Sequence, residues 1–309
     1  MIPDFNPTTA STITISVGTL GVLANILALY AIRRNSAFSN AFGTLCQSHA
    51  VANIGVCAAF SVLTGGVTLL HPTWHSTYWG RRSGQLIFFF WEGSLFTHLF
   101  AAIDRATVIN FPSRYSRIFG GGTVTKVILL VVWAIATAQS FPYFITSCSM
   151  TFDVTRFTYH HGEGLCGHIT EHYTDFAVSF TTVIIIWMLD MSSLFRLIQL
   201  RENAPFRQTK RRHEIQLFFQ SFTQSSLLMT SLASSYLLSA LDHQNKWYFF
   251  STTTLSSLFA HTLDGIVVIV FSKEIRRKIS GRLSMYSVAT LSRRKSSIFS
   301  TGVFPTYWY

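Results

Sequence analysis

SGQLIFFFWEGSLFTHLFAAIDRATVIN, running from Ser83 to Asn110, decides how this chain folds. Apolar and aromatic residues occupy every side of it, broken only by small or polar residues such as Glu92 and His98. Adjacent charges appear once, as Asp104–Arg105 near its end. A helix packed on a water-soluble core would confine its apolar residues to one stripe; one apolar all round and this long matches a hydrocarbon layer of about 30 Å, which takes ~20 helical residues. Six comparable blocks lie outward from it. Ala10–Ile32 and Ala41–Gly65 precede it, and Val124–Ile145, Tyr173–Leu197, Glu214–Leu241 and Trp247–Phe271 follow.

The composition agrees with lipid as the solvent. Apolar residues make up 49% of the chain and charged residues 12%, about half the charged share of a soluble domain. The Glu214–Leu241 block is the least apolar, with Ser221, Thr223, Ser225, Ser226, Thr230, Ser231, Ser234 and Ser235 along it. It reads either as an amphipathic surface helix or as a bundle helix whose hydroxyls bond its own backbone and let neighbours approach closely; the second is the expectation. The fold class is therefore an all-α membrane protein, a seven-transmembrane helix bundle.

Basic residues orient it. Of the 24 Lys and Arg, twenty fall on the side that carries Arg33, Arg114, Arg201 and the C-terminal tail, and four (Arg81, Arg82, Arg156 and Lys246) on the other. Lys- and Arg-rich short loops stay cytoplasmic, so the N-terminus is expected outside and the C-terminus inside, in the plasma membrane. The net charge of +11 then faces anionic lipid, and nucleic acid is excluded as a partner. The expected division is an extracellular tail at 1–9, the bundle at 10–271, an amphipathic helix at 272–283 and a basic, Ser-rich cytoplasmic tail at 284–309. Met1–Pro7 lacks the basic start of a cleavable signal, and Asn6-Pro7-Thr8 is spoiled as a glycosylation acceptor by its proline. Cys148 and Cys166 share one extracellular loop with seventeen residues between them; a disulfide closing the loop is the reading, with two free thiols the other possibility. Cys46 and Cys57 read as inert residues of the second block.

Asp104-Arg-Ala-Thr-Val-Ile-Asn-Phe-Pro112 resembles the Asp-Arg-Tyr motif and downstream proline of rhodopsin-like G-protein-coupled receptors, with Ala106 in place of the tyrosine. Asn25 and Asn53 stand where that family has its first-helix asparagine and second-helix aspartate, and Asp264-Gly265 where its last helix has Asn-Pro. Gln47-Ser-His-Ala-Val-Ala-Asn53, Asn110-Phe-Pro-Ser-Arg-Tyr115, His261-Thr-Leu-Asp-Gly265 and Ser272-Lys-Glu-Ile-Arg276 are similar to the nematode serpentine chemoreceptors of class X. The resemblance implies a chemosensory receptor, with a sensory-neuron cilium as one setting. It would bind a small environmental chemical outside and activate a heterotrimeric G protein inside. The sixth block lacks the family's tryptophan and proline, and the last block its proline and tyrosine, so an activation mechanism does not transfer with the resemblance.

Site expectations follow. Asp104, Arg105, Pro112 and Tyr115 are expected to form the G-protein-coupling edge, with Asp104 and Arg105 supporting each other until Arg105 turns to a partner helix; a boundary arginine that snorkels is the bland alternative. Asn25, Asn53 and Asp264 are expected to converge as a conformational switch, or simply as packing glue; an asparagine at 53 argues against a sodium-type ion. Trp91, Glu92, His98, Gln139 and His261 are polar or amphipathic groups within apolar blocks and are candidates for ligand contact. Glu92, thirteen residues before Arg105, lies ~20 Å toward the outside at helical rise. Asp190 has the same two readings, functional group or core carboxyl. No cofactor, metal site or catalytic set is expected. The Arg293-Arg-Lys-Ser-Ser297 tail suits phosphorylation, release from anionic lipid or arrestin-like docking, or a solvated tail. A transporter or channel is the alternative function, although matching halves with broken helices are missing; a retinal pump is excluded because the last block has no lysine.

Overall fold

Asn6 and Pro7 begin the first helix in complementary ways. The Asn6 side chain accepts the backbone N–H groups of Thr8 and Thr9, and Pro7 has no N–H to leave unpaired. Asn40 and Asn245 cap two later helices through Gly43 and Tyr248. The computed structural model describes residues 4–271, apart from 36, 37, 121, 146, 147, 204–207 and 243, with backbone alone at 116, 200–203 and 208–217. The expected eighth helix at 272–283 and the tail at 284–309 lie outside the described residues.

Seven long helices run through the described residues: α1 (Pro7–Arg34), α2 (Ala41–Leu70), α3 (Ser83–Asn110), α4 (Gly122–Ser140), α5 (Leu165–Gln199), α6 (Gln208–Ala233) and α7 (Lys246–Phe271). Six are long and apolar enough to cross a membrane; α6, basic at its start and hydroxyl-rich beyond, is the exception. In α4 only 22% of the most apolar stretch is buried inside the protein, and Val127 and Leu130 are exposed. Apolar surface on that scale would be costly in water and is at home in lipid. In α6 the polarity points inward: Gln220, Ser221, Gln224 and Ser225 are buried while Phe219 is exposed. The hydroxyls of Thr223, Ser226 and Thr230 donate to the carbonyls four residues back, removing most of their polarity from the helix surface. The fold is an all-α membrane bundle.

α3 is the central helix, packed by α2, α4 and α5; α1 lies against α2 and α7, and α6 joins α5 to α7. The α1–α7 seam is close because Gly265 has no side chain. A Cβ there would stand 2.8 Å from the backbone nitrogen of Asn25.

Two features had no counterpart in the sequence reading. Met150–Asp153 and Thr158–His161 pair as an antiparallel β-hairpin, β1 and β2, between α4 and α5. Four-residue strands are too short for an alternating pattern to declare them. Phe152 and Phe157 bury themselves beside Phe250, and the Thr254 hydroxyl donates to the Phe157 carbonyl. The hairpin thereby plugs one end of the bundle. Secondly, α2, α5 and α7 each contain a π-helical stretch (Phe60–Gly66, Thr170–Ala177, Ser251–Leu255) and α6 continues into one (Ser234–Leu238). All four lie toward the hairpin end.

Candidate functional site

The polar groups within the bundle gather in two networks that share α3. The first joins α1, α2, α3 and α7. Asn53 donates from Nδ2 to Oδ2 of Asp264 at 3.0 Å, and its Oδ1 accepts from Ser94 and pairs with His261 Nδ1, both at 2.8 Å. His49 places Nε2 2.8 Å from the same Asp264 oxygen and Nδ1 3.1 Å from the Ser94 carbonyl. Asn25 joins through backbone, donating to the carbonyls of Gly21 and His261. A buried amide or carboxyl without partners costs several kcal/mol in a medium that cannot hydrogen-bond, so these shared bonds are what allow the knot in lipid; Asp264 Oδ1 and His261 Nε2 stay unpartnered among the described residues. His49 and Ser94 were not singled out from the sequence. The usable signal was spacing: His49 stands four residues before Asn53, and Ser94 four before His98, each pair on one helix face.

The second network joins α3, α5 and α6. Arg105 donates from Nη2 to Oδ1 of Asp190 at 2.9 Å, with both side chains buried. The other Asp190 oxygen accepts from Ser225 at 2.8 Å, and Ser225 meets His98 Nε2 at 2.9 Å. The guanidinium also stands 5.5 Å from the ring of Phe42. This corrects the expected partnership of Arg105 with Asp104. Consecutive helical residues are 100° apart and do not face each other, so Asp104 turns instead to Tyr115, whose hydroxyl is 3.3 Å from its Oδ1. Burial and the neighbouring Asp104 raise the Tyr115 pKa to about 12, so the phenol stays protonated and donates. Tyr115 lies on a short helix, Pro112–Phe119, that Pro112 opens, a position where its missing N–H costs nothing.

A third feature is a cavity of about 380 Å³ at the hairpin end, within the ~300–1,000 Å³ range of small-molecule pockets. Of the five residues expected at a ligand, Trp91 alone lines it. Depth along the helix was legible; the face was not. Glu92 is one residue and 100° further round: it is fully buried, and neither carboxyl oxygen has a hydrogen-bond partner among the described residues. His98 belongs to the Arg105 network and His261 to the Asn53 network. Gln139 lies on α4, outside the cavity wall, with its Oε1 also unpartnered among the described residues.

The three features touch one another. Trp91 meets the His261 ring edge-on at 5.2 Å, and His49 lies 5.1 Å from His98. A continuous file of contacts therefore runs from the cavity through His261, Asn53, Asp264, His49, His98 and Ser225 to Asp190 and Arg105. Cys148 and Cys166 are bridged, with Cα atoms 5.0 Å apart, and fasten the hairpin to the start of α5. Cys46 and Cys57 are unbridged.

Known proteins are similar along most of this chain. The chain is 25% identical over 281 residues to serpentine receptor class X 45 of Caenorhabditis elegans, covering 83% of this chain and 76% of that one. It is 24% identical over 295 residues to serpentine receptor class X-43 of the same organism, covering 91% and 88%. Residues 15–272, which hold both networks and the cavity, match the family model described as serpentine type 7TM GPCR chemoreceptor Srx. A multi-pass helical membrane protein matched along nearly all of its bundle belongs to that receptor family, so this chain is a member of the Srx serpentine chemoreceptors.

Proposed function

We propose that the protein is a chemosensory receptor of the plasma membrane, with the hairpin end outside. A small environmental chemical occupies the hairpin-end cavity, and a heterotrimeric G protein engages the edge formed by Asp104, Arg105, Pro112 and Tyr115. The observation that carries this reading is the contact file from Trp91 to Arg105. A ligand that favours one arrangement of Trp91 and His261 changes the partners of Asn53 and, through His49 and His98, the environment of the Arg105–Asp190 pair. A ligand shifts a two-state bundle only by its difference in affinity for the two states, and this file is where that difference would be felt. In the second state Arg105 leaves Asp190 for a carbonyl of the entering transducer helix. The placement of twenty of the 24 basic residues on the Arg105 side supports the orientation.

Two measurements test it. Epitope tags at both ends of the chain, probed on intact cells, should show the N-terminal tag alone; the reverse pattern ends the receptor reading. A chemical library screened for dissociation of Gα from Gβγ should yield agonists whose effect disappears in Arg105→Ala. Agonist-free substrate flux or current would favour a transporter or channel instead.

A further inference from the structure

The cavity at the hairpin end has acids in its wall and no strong base. Among the described residues it is lined by Glu171 and Asp175 and by no lysine or arginine. His161 is the nearest basic side chain to Asp175, its Nε2 3.8 Å from Oδ2, beyond hydrogen-bonding range. Burial, reinforced by His160 and His172, lowers the His161 pKa to about 4. Its ring is therefore neutral at pH 7, and Nε2 is free to accept the Tyr143 hydroxyl proton at 3.3 Å. Tyr236 stands beside Asp175 but brings no charge to it.

Two further observations point to an occupant. Ser231 lines the same cavity, is 2% exposed, and its hydroxyl has no hydrogen-bond partner among the described residues. Its neighbours Ser226 and Thr230 turn back onto their own helix; Ser231 does not. An orphaned buried hydroxyl is a cost that a bound polar group removes. The walls are aromatic, with Phe60, Phe88, Trp91, Tyr159, Tyr236 and Phe249 among them, and ring faces attract desolvated cations.

The geometry points to a small organic cation as the ligand class, an ammonium seated at Asp175 among the aromatic rings with a hydroxyl or similar group reaching Ser231. This rests on the receptor reading above and narrows it. A carboxylate ligand would meet Asp175 and Glu171 with like charge and find no arginine or lysine to hold it.

The test uses the full chain in lipid nanodiscs, with phenethylamine, tyramine and benzyltrimethylammonium as cationic probes and hydrocinnamic acid and phenethyl alcohol as anionic and neutral counterparts of similar shape. Saturable binding of the cations is expected, at least about tenfold tighter than either counterpart. Asp175→Asn should weaken the cations by about tenfold to a hundredfold, the range for loss of a charge-assisted contact. Ser231→Ala should weaken tyramine several-fold and leave phenethylamine unchanged. Cooperative thermal unfolding of each variant, matching the parent, certifies that the bundle is intact. Equal or tighter binding of the acid or alcohol, indifference of the cations to Asp175→Asn, or no cation binding in a cooperatively unfolding preparation overturns the proposal. A receptor that activates its G protein with neutral or acidic library compounds alone disproves the cation and leaves the receptor reading standing. Failure of every compound to release Gα from Gβγ, despite cation binding in nanodiscs, does the opposite.

Discussion

The two ends of the bundle treat charge in opposite ways. Toward the Arg105 end, the buried charged groups each have a specific partner: Arg105 has Asp190, Asp104 has Tyr115, and Asp264 has His49 and Asn53, with Arg105 Nε and Asp264 Oδ1 left over among the described residues. Toward the hairpin end, Glu92 has no hydrogen bond among the described residues and Asp175 faces a cavity with no lysine or arginine in its wall. A set of mutual partners holds one arrangement until something replaces a member. An open set waits for a molecule to complete it. The difference separates a latch from a receptacle within one helical frame.

Breaking the latch should give the largest effect. Asp190→Ala leaves the Arg105 guanidinium buried without its carboxylate, a loss of about 3–5 kcal/mol. Thermal unfolding of the protein in nanodiscs should fall accordingly, and the double variant with Arg105→Ala should lose less than the sum of the two single changes. Additive losses would mean that the pair does not act as a unit.

Acid should act at the other end. The His161 pKa falls from an ordinary 6.5 to about 4 on folding because the ring is buried near His160 and His172. The unfolded chain binds the proton first, so this histidine's contribution is complete above pH 6.5 and is lost as the pH drops from there toward 4. The full difference amounts to about 3 kcal/mol. Hydrogen exchange of the hairpin amides should accelerate through that window in the parent and stay flat in His161→Phe, while amides around Asp190 should not follow the same curve.

Asp264→Asn sharpens the contrast further. It weakens the bonds from His49 and Asn53 by about 1 kcal/mol apiece, and should alter basal G-protein activity without changing ligand affinity in the cavity by a similar factor. Equal effects on both would merge the two regions into one. Smallest of all is Tyr115→Phe, which removes one hydroxyl bond to Asp104 at 3.3 Å. About 1 kcal/mol is expected, read as a modest drop in unfolding temperature.

Much of the frame was legible beforehand. Apolar length located the helices, because lipid leaves a backbone few choices. The receptor resemblance picked out Asn25, Asn53 and Asp264, and the bundle brings them together, Asn53 and Asp264 directly and Asn25 through the His261 carbonyl. What sequence could not supply was azimuth. Asp104 and Arg105 are neighbours in the chain and diverge in space; Trp91 and Glu92 likewise, one lining the cavity and the other sealed from it. Asp190 and Ser225 meet only because α5 and α6 pack side by side. The start of α5 lay eight residues earlier than its apolar block, at Leu165 rather than Tyr173, since Glu171 and two histidines mask a helix that the Cys166 bridge holds in place.

The widened turns in α2, α5, α6 and α7 carry a consequence for how such receptors diversify. Each wide turn absorbs a single additional amino acid without unravelling the rod around it. Insertion or deletion of one codon there changes which side chains that turn presents, while the helical stretches on either side keep their facing instead of swivelling by roughly 100°. A receptor family can thus vary one turn of its wall by counting residues, without first redesigning the rods that hold it.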